Sequence, residues 1–147
     1  MSFTIKVLVA LTGWSAREGY IPWLQNDPNV ECFISSNIGS EIIQEVASNT
    51  PDVLLVDLSV HDPSTSIVIA KSRQLHRYIE VILFSDLEDD ESAKALRVGV
   101  TACAEKYSLS QEDFRQFITD TADGRVRSNN SLLDFLGSVP LMRHGEI

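Results

Sequence analysis

The run Pro51-Asp52-Val53-Leu54-Leu55-Val56-Asp57-Leu58 decides the fold class. Its central residues, Val53 to Val56, are apolar without alternation, which is typical of a strand buried on both faces of a parallel sheet. Asp57 follows directly, so a carboxylate lies where this strand ends. A carboxylate in that position needs a partner, because burying an unpaired charge costs free energy.

Four further short apolar segments accompany the predicted strand 53–58, at residues 5–11, 30–34, 81–84 and 100–104. Longer segments of helical period separate them, which predicts a parallel sheet built from βα units. Right-handed crossovers with helices on both faces favour the strand order 2-1-3-4-5. The predicted fold class is therefore α/β, a flavodoxin-like, doubly wound sheet of five parallel strands.

The helix after the fifth strand is the clearest of the predicted helices. Ser110 is its expected N-cap, Asp113 follows three residues on, and Gly124 is the expected end. Its apolar stripe consists of Phe114, Phe117, Ile118 and Thr121.

The remaining helices are predicted from apolar spacing and start signals. A third helix is expected to begin near Ser64, and Pro22 predicts a kink or a shortened start in the first helix. The second helix should bury the stripe Ile38, Ile42, Ile43, Val46 and Ala47, and a fourth helix should include Ala93, Leu96 and Val100.

Composition excludes several classes of protein. The chain has 147 residues, 44% of them hydrophobic, which suits one compact domain with a tail. The 12 Lys and Arg against 21 Asp and Glu give a formal net charge of −9, which repels nucleic acid and anionic lipid. With neither a long apolar run nor a signal peptide, we expect a cytoplasmic protein that binds no membrane and no nucleic acid directly.

Functional groups of a doubly wound sheet gather beyond the carboxyl ends of its strands. Asp57 ends the third strand, Ser85 the fourth and Lys106 the fifth, so the three side chains are expected to converge in one crevice. A lysine beside a carboxylate keeps it ionised and orients it. The residues expected at this edge are Leu11, Thr12, Asp57, Ser85, Asp86 and Lys106.

With these residues placed, residues 4–125 resemble the receiver domain of bacterial response regulators, most closely the NarL/LuxR type. The resemblance implies that Asp57 accepts a phosphoryl group with the help of Mg²⁺, that Ser85 is the switch hydroxyl and that Lys106 supplies the countercharge. The motifs that carry it are Arg17-Glu18-Gly19, the run from Pro51 to Leu58, Val81-Ile82-Leu83-Phe84-Ser85, Ala95-Leu96-Arg97-Val98-Gly99-Val100 and Lys106.

The sequence departs from the family at four of these functional positions. Leu11 and Thr12 occupy the places of the family's acidic pair, and Mg²⁺ needs oxygen ligands that usually include carboxylates. Asp86 puts a negative charge beside the switch hydroxyl, where the family has a small residue. Cys103 replaces the aromatic residue that follows the motion of that hydroxyl; it and Cys32 are expected to be core thiols.

The sequence therefore predicts a degenerate receiver, or pseudo-receiver, in which Asp57 and Lys106 form a standing ion pair. It would regulate signal transduction or transcription through protein–protein contacts, without phosphorylation, enzymatic activity, metal or other cofactor. One alternative is a phosphoacceptor whose Mg²⁺ site is completed by Asp62 or Asp86. Another is a small-molecule sensor that uses a crevice made less polar by Leu11, Thr12 and Trp14.

Residues 1–125 are predicted to form the receiver-like domain and 126–147 a linker and tail with a short amphipathic helix. The resemblance implies a helix-turn-helix output domain beyond this point, yet the sequence stops at Ile147. We expect either that this output was lost or removed or that the chain acts by contacts alone. The expected partner is another protein or a second copy, bound through the fourth helix, fifth strand and fifth helix, and a histidine kinase is a doubtful partner.

Overall fold

Five parallel strands form one sheet in the order β2-β1-β3-β4-β5. The computed structural model describes residues 4–12, 19–84, 97–104 and 109–123. The predicted α/β class and the strand order 2-1-3-4-5 are confirmed. The strands are β1 (Ile5–Ala10), β2 (Val30–Ile34), β3 (Val53–Asp57), β4 (Glu80–Phe84) and β5 (Ala102–Ala104).

The central strands are buried on both sides because each face of the sheet carries its own apolar core. Val9 and the Leu55 it pairs with face one cluster, whereas the neighbouring pair Leu8 and Leu54 face the other. Successive side chains of a strand point to opposite faces, so a strand covered on both faces must be apolar throughout. All five residues of β3 are buried, including Asp57 at its end.

Four helices cover the two faces within the described ranges. Residues of α1 and of the last helix belong to the cluster that contains Val9, and residues of α2 and α3 belong to the other. Their bounds are α1 (Ile21–Gln25), α2 (Gly39–Asn49), α3 (Thr65–Leu75) and the last helix (Gln111–Ala122). None of the helices in these ranges has both the length and the apolar composition needed to span a bilayer.

The helix starts follow the capping signals of the sequence. Ser110 is the N-cap of the last helix, and its Oγ accepts a hydrogen bond from the Asp113 backbone N at 3.2 Å. Ser64 is the N-cap of α3, as predicted. Pro22 lies in the first turn of α1, where its missing N–H costs no intrahelical hydrogen bond. Residues 13–18, which precede this region, lie outside the described residues, so the kink or shortened start stays a prediction. The predicted end at Gly124 lies outside the described residues.

Several predicted boundaries and burials are wrong in detail. β1 ends before Leu11, β3 ends before Leu58, and β5 begins two residues after Val100. Ala47 is exposed, because the buried stripe of α2 is limited to Gly39, Ile42 and Val46. Cys32 is only half-buried, since β2 lies at the edge of the sheet.

One polar network joins α3 to the turn before β5. The Arg73 guanidinium donates from Nε to the Gly99 carbonyl at 2.7 Å and from Nη2 to Thr101 Oγ1 at 2.9 Å. Thr101 Oγ1 also accepts from the Val81 backbone N at 3.0 Å. Gly99 has φ 109°, a conformation open to glycine and strained for other residues. This network fixes the entry into β5.

The predicted fourth helix and tail lie largely outside the described residues. Only residues 97–101 of the segment before β5 are described, and none of 124–147. The division into a domain over 1–125 and a tail over 126–147 therefore stays a prediction.

Candidate functional site

Asp57 ends β3 next to the end of β1, and its side chain is almost completely buried, with 1% of the residue exposed. Strand pairing places Ala10 beside Val56, so Thr12 follows at the same edge of the sheet. The Thr12 backbone N donates to Asp57 Oδ2 at 3.0 Å, and Thr12 Oγ1 lies 3.4 Å from the same oxygen. One carboxylate oxygen is thus bound by the residue that follows β1.

The other oxygen of the Asp57 carboxylate is bound from its own chain. The Ser59 backbone N donates to Oδ1 at 2.9 Å, and Ser59 Oγ donates to it at 2.5 Å. An aspartate that accepts from the backbone two residues on forms an Asx-turn, which fixes the direction of the following loop. Ser59 Oγ also lies 2.9 Å from Thr12 Oγ1. Because Ser59 Oγ donates its only hydrogen to the carboxylate, it accepts here from Thr12 Oγ1, and the two hydroxyls form a chain of hydrogen bonds that ends on Asp57 Oδ1.

The backbone of Asp57 is anchored as well. Thr65, at the start of α3, is buried and donates from Oγ1 to the Asp57 carbonyl at 2.8 Å. The loop of residues 58–64 is consequently held at both ends by hydrogen bonds to the same residue. In the described part of the chain, Asp57 forms its hydrogen bonds with uncharged amides and hydroxyls.

Leu11 and Thr12, the two positions where the resemblance implies an acidic pair, have different environments. Leu11 is 8% exposed and belongs to the apolar cluster that contains Val9 and Leu55. Thr12 is half-buried and binds Asp57. Only the second position therefore contributes to the site, and it does so with an amide and a hydroxyl.

Cys103 lies in β5, with no measurable exposure, in the apolar cluster below α3. Burial raises the pKa of its thiol far above the ordinary range, so the group stays neutral. The core-thiol interpretation is confirmed for Cys103. For Cys32, which is half-buried, burial also raises the pKa, although the side chain only borders the core.

Three predicted site residues, Ser85, Asp86 and Lys106, lie outside the described residues, as does Trp14. The ion pair between Asp57 and Lys106 and the switch role of Ser85 therefore stay predictions. The structure brings together Asp57 and Thr12 from the predicted set.

Magnesium is the cofactor that the resemblance implies, and the described donors do not fit it. They offer one carboxylate and two hydroxyls, and no group of three His, Cys, Asp or Glu residues in the described ranges could hold a metal. Both Asp57 oxygens already accept backbone N–H groups, and no second carboxylate among the described residues contacts them, whereas Mg²⁺ sites usually combine carboxylate ligands. Asp62, considered for completing the site, is 86% exposed in its side chain and contacts the His61 ring instead.

Sequence reasoning missed two residues that hold Asp57, namely Ser59 and Thr65. The signal for Ser59 was present, because an Asp-x-Ser sequence after a strand favours an Asx-turn. Thr65 carried a weaker signal, since a threonine in the first turn of a helix has many uses. Both residues bind Asp57 through uncharged groups, so a prediction based on charged partners does not include them.

Comparison with solved structures places receiver domains among the neighbours of this fold. A LuxR-family two-component response regulator from Aurantimonas sp. SI85-9A1 has a TM-score of 0.75 and 18% identity, over 91% of this chain and 96% of that chain. The signal receiver domain of NarL from Mycobacterium tuberculosis has a TM-score of 0.70 and 21% identity, over 84% and 99%.

A third neighbour, the receiver domain of the sensor histidine kinase PA1611 from Pseudomonas aeruginosa PAO1, has magnesium coordinated in its active site cleft. Its TM-score is 0.71 at 10% identity, over 82% of this chain and 98% of that chain. Models of known protein families and curated protein sequences gave no match. At these identities the likeness shows that the chain has the receiver fold, and the chemistry must be argued from its own residues.

Proposed function

We propose that this chain is a receiver-type regulatory domain that acts in signal transduction through protein–protein contacts, independently of phosphorylation. Asp57 serves in it as a buried hydrogen-bond acceptor that holds the end of β1 and the loop after β3 in place. The domain is not an enzyme, takes no cofactor and works in the cytoplasm.

The hydrogen bonding of the Asp57 carboxylate is the observation that carries this proposal. Oδ1 and Oδ2 each accept a backbone N–H and lie near a hydroxyl, and only 1% of the residue is exposed. An acceptor of a phosphoryl group must present a free oxygen lone pair to an incoming phosphorus atom. Here the donors of Thr12 and Ser59 would have to leave first.

Charge supports the same conclusion. Phosphoryl transfer depends on positioning and on neutralising the negative charge of the transferred group, which is usually the task of a divalent metal. Within the described residues, the positions of the family's acidic pair hold Leu11 in the apolar core and the uncharged Thr12. The metal site that would supply the largest electrostatic contribution is therefore not favoured.

Phosphorylation is tested directly by intact mass. The protein is incubated with Mg²⁺ and a small acyl-phosphate donor, and Asp57→Asn is treated in parallel. We expect no phosphate adduct on either protein. An adduct on the native chain that is absent from Asp57→Asn would overturn the proposal and favour the phosphoacceptor alternative.

The proposed partner is another protein or a second copy of this chain, bound through the fourth helix, fifth strand and last helix. On the outer face of the last helix, Gln111, Glu112 and Gln116 are exposed and therefore accessible to a partner. The formal charge of −9 argues against direct binding to nucleic acid. A histidine kinase is not required by this mechanism.

Self-association is measured by sedimentation velocity over a concentration series. A dimer that weakens in Glu112→Arg, but not in the matched change Asp52→Arg at the exposed position before β3, supports the homodimer. A protein that stays monomeric throughout and retains no partner in pull-down experiments contradicts the contact mechanism.

A further inference from the structure

The loop that follows Asp57 is joined to the start of α2 by three backbone hydrogen bonds. The Gly39 N donates to the His61 carbonyl at 2.6 Å, and the Ser40 N donates to the Asp62 carbonyl at 3.0 Å. In the opposite direction, the His61 N donates to the Asn37 carbonyl at 3.0 Å. The result is a short parallel bridge that lies outside the main sheet and ends in the first turn of α2.

Close packing accompanies these hydrogen bonds. A Cβ added to Gly39 would lie 2.2 Å from the Pro63 carbonyl oxygen and 2.7 Å from the Pro63 N. Such distances are far below van der Waals contact, and the obstructing atoms belong to the backbone. The loop and the helix can therefore approach this closely only because residue 39 is a glycine.

The same loop is fixed to the carboxylate at its other end. Ser59 donates to Asp57 Oδ1 with both its N and its Oγ. Between Ser59 and His61 stands Val60, which is 4% exposed and belongs to the apolar cluster of Ile42 and Val46 on α2. One buried residue, Val60, therefore connects the hydrogen bonds at the carboxylate to those at the start of α2.

We infer that the hydrogen bonding of Asp57 and the position of the first turn of α2 are coupled through residues 59–63. A change at the carboxylate, whether by a ligand or a covalent group, is transmitted to the face that carries the exposed Ser40 and Glu41. Coupling of this kind is reciprocal, so a partner bound at the start of α2 alters the carboxylate in turn. The inference does not depend on the proposed function, because it holds whether or not Asp57 is phosphorylated.

Amide hydrogen exchange, resolved by residue in NMR spectra, tests the forward direction. Asp57→Ala removes every side-chain contact of the carboxylate, and Ser59→Ala is the milder variant if the first fails to fold. We expect the Gly39 and Ser40 amides to exchange about tenfold faster. This factor corresponds to the loss of a hydrogen bond to a charged group, here the carboxylate of Asp57.

Asp52→Ala is the matched control for the forward test. The Asp52 carboxylate also accepts a backbone N–H, from Lys6 at 2.8 Å, but at the opposite end of β3. We expect exchange at Gly39 and Ser40 to remain within about twofold of the native rate, since local effects fade outside one cooperative unit. Equal acceleration in both aspartate variants would show general loosening and would overturn the inference.

Gly39→Ala tests the reverse direction. Its new Cβ must displace Pro63, so the Ser59 and Thr12 amides, which donate to Asp57, are expected to exchange about tenfold faster. The Leu55 amide in the centre of the sheet should keep its rate, which excludes global unfolding. If exchange becomes faster only around residues 39 and 63, and the Ser59 and Thr12 amides keep their native rates, the inferred coupling is wrong.

Discussion

Replacing Asp57 by asparagine is expected to destabilise the domain, and the sign of this effect separates a structural carboxylate from a phosphoacceptor. The two carboxylate oxygens each accept a backbone N–H, from Thr12 at 3.0 Å and from Ser59 at 2.9 Å. An asparagine side chain keeps one acceptor oxygen and turns an NH₂ group toward the second N–H. Asp57→Asn therefore leaves one buried donor without an acceptor.

The magnitude follows from that lost acceptor. A buried, unsatisfied donor costs about 1–3 kcal/mol of the free energy of unfolding. For a domain of this size, a loss of about 2 kcal/mol lowers the Tm by about 4–8 °C. In an acid-rich metal site the same substitution would remove like-charge repulsion and raise the Tm instead.

Thermal and urea unfolding followed by circular dichroism measure the effect. Asp52→Asn is the control, because Asp52 is exposed and lies at the other end of β3; its change is expected to stay within about 0.5 kcal/mol. An unchanged or raised Tm for Asp57→Asn would refute the reasoning, since it would mean that Asp57 is repelled by other acids.

Two further predictions concern the far edge of the sheet and the thiols. Gly99→Ala is expected to lower the free energy of unfolding by about 1–3 kcal/mol in urea titrations, because φ at Gly99 is 109° and the new Cβ would lie 2.8 Å from Arg73 Nε. Gly19→Ala is the control and should be nearly neutral, because a Cβ added there would have no atom within 4 Å. Thiol reagents at about pH 8 should label Cys32 well before Cys103, because the thiolate is the reactive form, and equal rates would contradict the burial of Cys103. Folding raises the pKa of the Cys103 thiol, so the unfolded chain loses this proton first as pH rises. The contribution of Cys103 to the free energy of unfolding is therefore complete below about pH 8.5 and falls as pH rises further. Cys103→Ala should remove this part of the pH dependence from urea titrations.

The sheet was predictable because its signals are local. The uninterrupted apolar run before Asp57 indicated a doubly covered central strand, and the alternation of strands and helices limited the strand order to few possibilities. The start of the last helix was equally clear, since Ser110 and Asp113 stand at capping distance. Strand ends were less predictable, because apolar residues such as Leu11 are buried whether or not they pair in the sheet.

The surroundings of Asp57 were predictable only in part. Its position followed from strand polarity, and the absence of charge at Thr12 could be read directly. Thr12 binds Asp57 through its backbone amide. Every residue except proline has such an amide, so no side-chain pattern predicts this contact. The joining of Arg73 to Gly99, 26 residues away in sequence, depends on the folded path of the chain and left no local pattern.

The position of β2 at the edge of the sheet has a consequence for aggregation. Its residues Val30, Cys32, Phe33 and Ile34 are apolar, and Ile34 is 53% exposed. No strand of the described ranges pairs with the outer side of β2, and an edge strand of this composition favours pairing with a strand from another molecule. Glu31 is exposed in the middle of it and acts as a gatekeeper, because stacking copies of β2 would bring like charges together.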